Sequence, residues 1–574
     1  MVILCELDYT THSIILIIIL TYIFQFQPCP KSTLNQLLQV IQSYSMLEKL
    51  SKDEKWKQTP RFIVVLWDDS AALETDRAKA EIRLSGEEMK ARAGVAADTA
   101  VHTYEEMLLL SPKEDIKHVP RDNSSLATLV YTSGTTSFPK GVRLLHSNIL
   151  HQVNYNTFSL VDSDRWDPNV GDTVLSILPC WHIYERTSEY FCFARGVQMV
   201  YSQLRTFKSD LVDWKPHYLF AVPRLFETIH KGALANFRTQ SRGKQKLIAA
   251  FTAITQTYKR CIGIATNQSV GASKPNVLYR IIAAIGSMLL FPFYMIADKL
   301  VWSKVRASLG GNFKVLTSGG SSLPMFIEKF FSMIGLNIIV GYGLTESSPI
   351  ILNRYVEDNV IGTVGKPCVG TECKIVDTES GKTVTPGQEG VLFAKGPAIM
   401  QGYNKNGDAT AAAFDSEGYF DTGDIAKQNL ATGDVMITGR AKDTIVLSNG
   451  ENVAPQPLEE QIVGAGRLVD QAMLVGQDER FMAAVLVLNA GELAEAGLID
   501  KKLGQKLSQI VGPTPVTTGP MGDLAVLKKA AKDISKMPAV RQAVQQQLDV
   551  VNSDAERRNW EKVSAFHAVL EPFR

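Results

Sequence analysis

Alternation is the feature of this chain that most restricts its fold. Short apolar runs rich in β-branched residues are followed by loops of small residues, and then by stretches with helical spacing of apolar positions. "RFIVVLWDD" (Arg61 to Asp69) reads as a buried strand stopped by acids, and Ala71 to Gly94 as helix or exposed loop. "LATLVYTSG" is again strand, and "VRLLHSNILHQVNYN" beyond it carries helical spacing. "FKVLTSGGSSLPMFIEKFFSMIG" (Phe313 to Gly335) repeats the unit, and "LNIIVGYGLTESSP" is a strand entering a Gly/Thr/Glu turn. Strands alternating with helices predict parallel α/β layers. A chain of 574 residues exceeds one hydrophobic core, so two or more domains are expected. Near "GRAKDTIVLSNGENVAPQPLEEQIV" (Gly439 to Val463) the pattern changes to short strands ("QAMLVG", "MAAVLVLN") and amphipathic helices. The expected organisation is an atypical segment 1–60, a large α/β domain 61–441 and a small α+β domain 442–574. "GPTPVTTGPMGD" (Gly512 to Asp523) reads as a surface loop.

Composition excludes some partners. The 60 basic and 59 acidic side chains leave a net charge of +1, so overall charge suggests no nucleic-acid partner. The seven cysteines form no C-x-x-C, so neither a zinc site nor a disulfide framework is expected, and a reducing compartment fits best. "SIILIIILTYIFQF" (Ser13 to Phe26) is shorter than the roughly 20 residues of a spanning helix. Glu6 and Asp8 precede it and no Lys or Arg does, which argues against a secretory signal. It reads as a buried strand, a badly defined start or a membrane anchor. A second apolar stretch, Tyr279 to Val305, has basic flanks and contains Pro292. It reads as a core helix or as a membrane-surface helix.

"YTSGTTSFPKG" (Tyr131 to Gly141) gathers hydroxyls, glycines and one lysine directly after an apolar strand. Glycine permits close backbone approach, hydroxyls and N–H groups can surround phosphate oxygens, and lysine adds a point charge. The stretch suits a polyphosphate grip; a plain linker is the other reading. It is not a Walker A loop, because Pro139 precedes Lys140-Gly141.

With the motifs that follow it, this loop resembles the phosphate-loop signature of the adenylate-forming superfamily, which includes acyl-CoA synthetases, luciferases and peptide-synthetase adenylation domains. By that resemblance, Thr132, Ser133, Gly134, Thr135, Thr136 and Lys140 grip the pyrophosphate end of ATP. "LPCWHIYER" resembles the segment with an aromatic residue and His182 beside the acyl site, where Cys180 reads as a small buried residue. "SGGSSLP" (with Gly319, Gly320 and Ser321) resembles the adenine-side loop. "GYGLTESSP" (with Gly341, Tyr342 and Gly343) resembles the loop whose Thr345 meets the α-phosphate and whose Glu346 holds Mg²⁺. "GYFDTGD" ends in Asp424, which clasps the ribose hydroxyls. "GRAKD" supplies Arg440, a nucleotide contact, and Lys442, the hinge; "SNGENVAP" resembles the loop used in thioester formation.

"VPRLFE", "LPCWHIYER" and "GRAKDTIVLSNGENVAPQPLEE" are similar to long-chain fatty acyl-CoA synthetases, and most of all to plant-type plastid acyl-activating enzymes described as acyl-acyl-carrier-protein synthetases. The implied reaction has two steps. A long-chain fatty acid and ATP with Mg²⁺ give an acyl-adenylate, and a thiol of coenzyme A or of a carrier's phosphopantetheine then displaces the nucleotide. The implied location is membrane-associated, in the plastid or on the cytoplasmic face of the endoplasmic reticulum.

Three departures from the pattern bear on these expectations. Ser137 stands where the family usually has glycine. Relatives carry more sequence before "RFIVVLW", and after a strand like "VSAFHAVLEPFR" they carry a lysine that contacts the reacting carboxylate; Lys562 precedes that strand and cannot substitute for it. Both domains are therefore expected to be incomplete, with adenylation weakened on the order of several kcal/mol of barrier. The alternatives are a non-catalytic paralogue that only binds nucleotide or acyl chains, and an amino-acid adenylation domain.

Overall fold

The computed structural model describes residues 37–43, 60–67, 85–93, 95, 100–103, 106, 121–132, 139–154, 166–268, 270, 275–511, 529–530, 532–554, 557–570 and 573. The apolar segment Ser13 to Phe26, the loop Ser133 to Thr136 with Ser137, and the Gly512 to Asp523 stretch lie outside them.

A seven-stranded sheet is the frame of the large domain. Its spatial order is Lys366–Pro367, Ile350–Asn353, Ile338–Gly343, Val315–Ser318, Tyr218–Ala221, Thr173–Ser176 and Gln198–Tyr201. The last five are parallel, and the first two join antiparallel at one edge. Both faces of the sheet are covered, and neighbouring residues divide between them, because successive strand side chains point to opposite faces. Leu175, Leu219, Leu316 and Ile338 enter one core with Phe226, Trp302 and Phe331. Val174, Phe220, Val315 and Ile339 enter another with Tyr184, Phe191 and Cys192.

Leu37–Ser43, Pro60–Trp67 and Ala100–Thr103 form a separate parallel sheet. Its first strand lies inside the stretch read from sequence as an atypical N-terminal segment. Glu372–Val376, Gly390–Lys395, Phe420–Gln428 and Val435–Arg440 make an antiparallel sheet that packs on the edge of the frame through Leu392, Ala426, Ile351 and Leu352. A further core, from Ile445 to Leu570, encloses Val469–Val475, Met482–Leu488 and Val563–Val569 with the helix Pro538–Asn552.

Two local expectations change. "VRLL" belongs to a strand, Lys140–Leu145, antiparallel to Leu126–Thr132, and the helix begins only at His146. The threonine-rich loop therefore joins two strands of a hairpin. Val142, Leu145 and Ile149 stand at helical i, i+3, i+7 spacing, while Val142 and Leu144 also alternate as in a strand, and the cross-strand partner decides between the two. In the stretch read as core or membrane-surface helix, the helix Val277–Ala297 runs through Pro292 and buries only Ala283 and Ala297.

Candidate active site

A cleft of about 360 Å³ opens at the C-terminal ends of the parallel strands, where loops leave the sheet. Thr132, Lys140, His182, Gly319, Gly320, Gly341, Gly343, Thr345, Glu346, Asp424, Arg440 and Lys442 all line it. The volume falls within the roughly 300–1,000 Å³ usual for small-molecule sites. Ser321 is exposed and outside the lining, and Tyr342 stands behind the wall.

Strand register builds the acidic end. Asp424 and Arg440 are direct cross-strand partners, and Arg440 Nε lies 3.2 Å from Asp424 Oδ1. Tyr342 Oη donates to Asp424 Oδ2 at 2.6 Å. Asp424 is only 5% exposed, and burial raises its pKa against the opposing pull of Tyr342 and Arg440. The Arg440 side chain is 58% exposed and can swing away. Asp424 keeps lone pairs for two further donors.

Glu346 sits in a single 3₁₀ turn, Thr345–Ser347, after the strand Ile338–Gly343. Side chains brace the turn from outside. Gln152 Nε2 donates to Ile350 O at 2.9 Å, and Thr187 Oγ1 donates to Ser348 O at 3.3 Å. Ser347 Oγ accepts from Leu344 N at 2.9 Å. Gly343 is fixed by space: a Cβ there would lie 1.8 Å from Pro349 O. Gly320 has φ +84°, where L side chains are strained.

Tyr403 links the basic and acidic groups, and sequence reasoning missed it. Its hydroxyl donates to Glu346 Oε1 at 3.0 Å, and Lys140 Nζ lies 4.9 Å from its ring centroid. Burial, then the Glu346 charge, push its phenol well above the ordinary range. Tyr403 reaches the site because Gly402–Tyr403 pairs with Lys140–Leu145, a contact no local pattern announces. Tyr184, in "LPCWHIYER", was passed over too; its hydroxyl donates to Thr317 O at 3.3 Å in the cleft wall.

His182 caps the helix Ile183–Ala194, with Nδ1 accepting from Tyr184 N at 3.2 Å. The ring faces the cleft with protein packed behind it, and this desolvation lowers its pKa, keeping it neutral near pH 7. Cys180, in the same segment, is buried. Among the described residues no group of three or more His, Cys, Asp or Glu could hold a metal ion; Glu346 shares the cleft lining with Lys140, Thr345, Asp424 and Asp443. Magnesium bound largely through substrate phosphates and water needs only one or two carboxylates, so the residues present fit it.

The profile of the AMP-binding enzyme family matches residues 38–404, and that of the AMP-binding enzyme C-terminal domain matches residues 442–512. The chain is 35% identical over 484 residues to the probable acyl-activating enzyme 16, chloroplastic, of Arabidopsis thaliana, covering 80% of this chain and 64% of that protein. It is 34% identical over 479 residues to the long-chain-fatty-acid–[acyl-carrier-protein] ligase AEE15, chloroplastic, of the same plant, covering 79% of this chain and 62% of that protein. The chain thus spans less than two thirds of either relative. Among solved structures, the A domain of a carboxylic acid reductase from Segniliparus rugosus, in complex with AMP and a co-purified carboxylic acid, superposes with a TM-score of 0.60 at 21% identity, covering 93% of this chain and 70% of that one. That likeness carries the fold, and the profile match over most of the chain carries the family: this protein belongs to the AMP-binding enzymes.

Proposed function

We propose that this protein activates long-chain fatty acids with ATP as acyl-adenylates and passes the acyl group to a thiol. One observation carries the reading: Lys140, Glu346 and Asp424, from three distant motifs, line one cleft. The names of its relatives support the acyl substrate.

A carboxylate is a poor acyl donor because its leaving group would be oxide. Attack of a carboxylate oxygen on the α-phosphorus forms the C–O–P bond and breaks the bond to pyrophosphate. Asp424 would hold the ribose diol and Gly319–Gly320 the adenine. Thr345 would donate to the α-phosphate, and Lys140 with Thr132 would balance charge at the leaving pyrophosphate. Ser133, Gly134, Thr135 and Thr136 belong to the same proposed grip. Magnesium held by Glu346 would neutralise phosphate charge. His182, neutral and facing the cleft, would pack beside the acyl carboxyl. In the second step a thiolate attacks the acyl carbon and AMP leaves. The small domain would rotate about Lys442 to present "SNGENVAP", and the domain boundary is proposed at that residue.

The acceptor is proposed as coenzyme A, with an acyl carrier protein as the alternative, since both end in the same phosphopantetheine thiol. The chloroplastic relatives favour the plastid over the endoplasmic reticulum. The test is pyrophosphate release with ATP, Mg²⁺ and palmitate. Release above blank is expected, with Asp424→Ala reducing kcat/KM by about 100-fold, in line with losing a preorganised polar contact. No release from a chain that still binds ATP would leave only the non-catalytic reading. Turnover with coenzyme A against holo carrier protein separates the acceptors.

A further inference from the structure

The helix Val277–Ala297 is covered on one side by the helix Arg242–Ala265, sets Tyr294 and Ala297 against the large core at its C-terminal end, and exposes most of its remaining side chains. Met288 is 74% exposed and Leu289 70%, and Ile282, Ile285, Phe293 and Ile296 are exposed beside them. Soluble chains rarely leave an apolar strip of this length uncovered. Charge tells what covers it. Between Thr228 and Ile327 stand thirteen Lys and Arg against a single acid, Asp298, in a molecule whose total is +1, and of these Lys231, Arg238 and Lys314 pair with acids of other elements. Asp298 is already neutralised by Arg306 at 2.6 and 2.9 Å. Arg242, Lys244, Lys246, Arg260, Arg280, Lys299 and Lys304 remain exposed along the two helices.

We propose that this helix and its basic rim form a docking surface for a bilayer carrying anionic headgroups, lying in the interface rather than crossing it. The helix is long enough to span, at 21 residues or roughly 32 Å. Its tethers keep it flat. Beyond its C-terminal end, Trp302 is fully buried in the large core and donates from Nε1 to Thr255 Oγ1 at 3.0 Å. Arg306 donates to Ile334 O at 2.6 Å. Near its N-terminal end the hairpin turns back on the body, where Asn267 Nδ2 donates to Ala431 O at 3.2 Å and Gln268 Nε2 to Glu357 O at 2.8 Å. A helix tied at both ends can offer only its outer side. The partner helix carries exposed Lys244, Gln245, Lys246 and Gln256, which belong at headgroup level and not in hydrocarbon. A second copy of the chain is a poor occupant, because it would bring two positive rims together, whereas anionic lipid complements them. The surface stands whether or not the cleft is a ligase site.

Flotation of the full chain with vesicles tests this. Phosphatidylcholine vesicles with about 30% phosphatidylglycerol should retain at least tenfold more protein than phosphatidylcholine alone, with retention falling as NaCl rises. Met288→Glu with Leu289→Glu, and separately Lys299→Glu with Lys304→Glu, should each weaken binding roughly tenfold at unchanged melting temperature. Retention by neither vesicle, or equally by both, overturns the proposal. So does wild-type binding by the first variant, which would assign the membrane to residues 13–26. Resistance to alkaline carbonate extraction would mean a span. Concentration-dependent dimers without lipid binding would mean a second copy.

Discussion

Glu185 is 2% exposed, one turn into the helix that His182 caps. Its Oε1 is hydrogen-bonded to Ser176 Oγ, and its Oε2 has no partner among the described residues. Burial, then the nearby Glu189, push its pKa up to about 8; burial pushes Glu189, 5% exposed, up to about 7. The sign follows from proton binding. Below pH 4.5 both states hold these protons; above it the unfolded chain releases them while the folded chain keeps them, up to about 8 for Glu185 and about 7 for Glu189. Stability contributed here is therefore present at low pH and lost as pH rises through this window, at up to about 1.4 kcal/mol per pH unit for each group. Thermal melting should fall from pH 5 to pH 8, and Glu185→Gln should flatten that fall; an equally steep decline in the variant would clear Glu185 of the effect. Nothing in "HIYERTSEY" distinguishes these two carboxyls from surface acids. Lys140, Glu346 and Asp424, by contrast, stand in motifs that resemble the family's, although only Glu346 lies in a turn and the other two lie on strands.

At the scale of elements, the turn after the strand Ile338–Gly343 shows how the site tolerates so little change. Gly343 crosses the Pro349 carbonyl with no room for a side chain. Gly343→Ala should displace Glu346 and destabilise the fold by about 3 kcal/mol or more, as overpacking against rigid backbone does. Calorimetry and nucleotide titration together check it; an unshifted melt with normal ATP affinity would show that the turn gives way cheaply. The strand Ile338–Gly343 was readable because a continuous apolar run ends in glycines, and the helix Met325–Met333 because its apolar positions recur at helical spacing after Pro324. Lys140–Leu145 was not, because it runs without a break into the helix that begins at His146 and shares its apolar spacing, so only the paired strand settles it.

At the scale of the whole molecule, polar contacts seat the small domain on the large one. Lys231 Nζ lies 2.8 Å from Asp470, and Arg238 Nη1 lies 2.5 Å from Glu492 and 3.2 Å from Glu495. Ser322 binds Glu460 and accepts from Gln456 Nε2 at 2.6 Å, tying the loop beside the cleft to the helix Pro455–Gly464. Partly exposed ion pairs contribute about 0–1 kcal/mol each and are screened by salt. Lys231→Ala with Arg238→Ala should raise protease cutting between Arg440 and Ser448 a few-fold, and high salt should do the same to the wild type; cutting unchanged in both would show that apolar packing alone seats the domain. By itself, the sequence determined the α/β class and the chemistry-bearing turns, since periodicity and turn residues are local properties. Only the tertiary structure decided that Tyr403 bridges Lys140 and Glu346, that Tyr342 holds Asp424, and that an apolar helix faces outward, because each depends on which distant surfaces meet, and that is settled by packing across the chain.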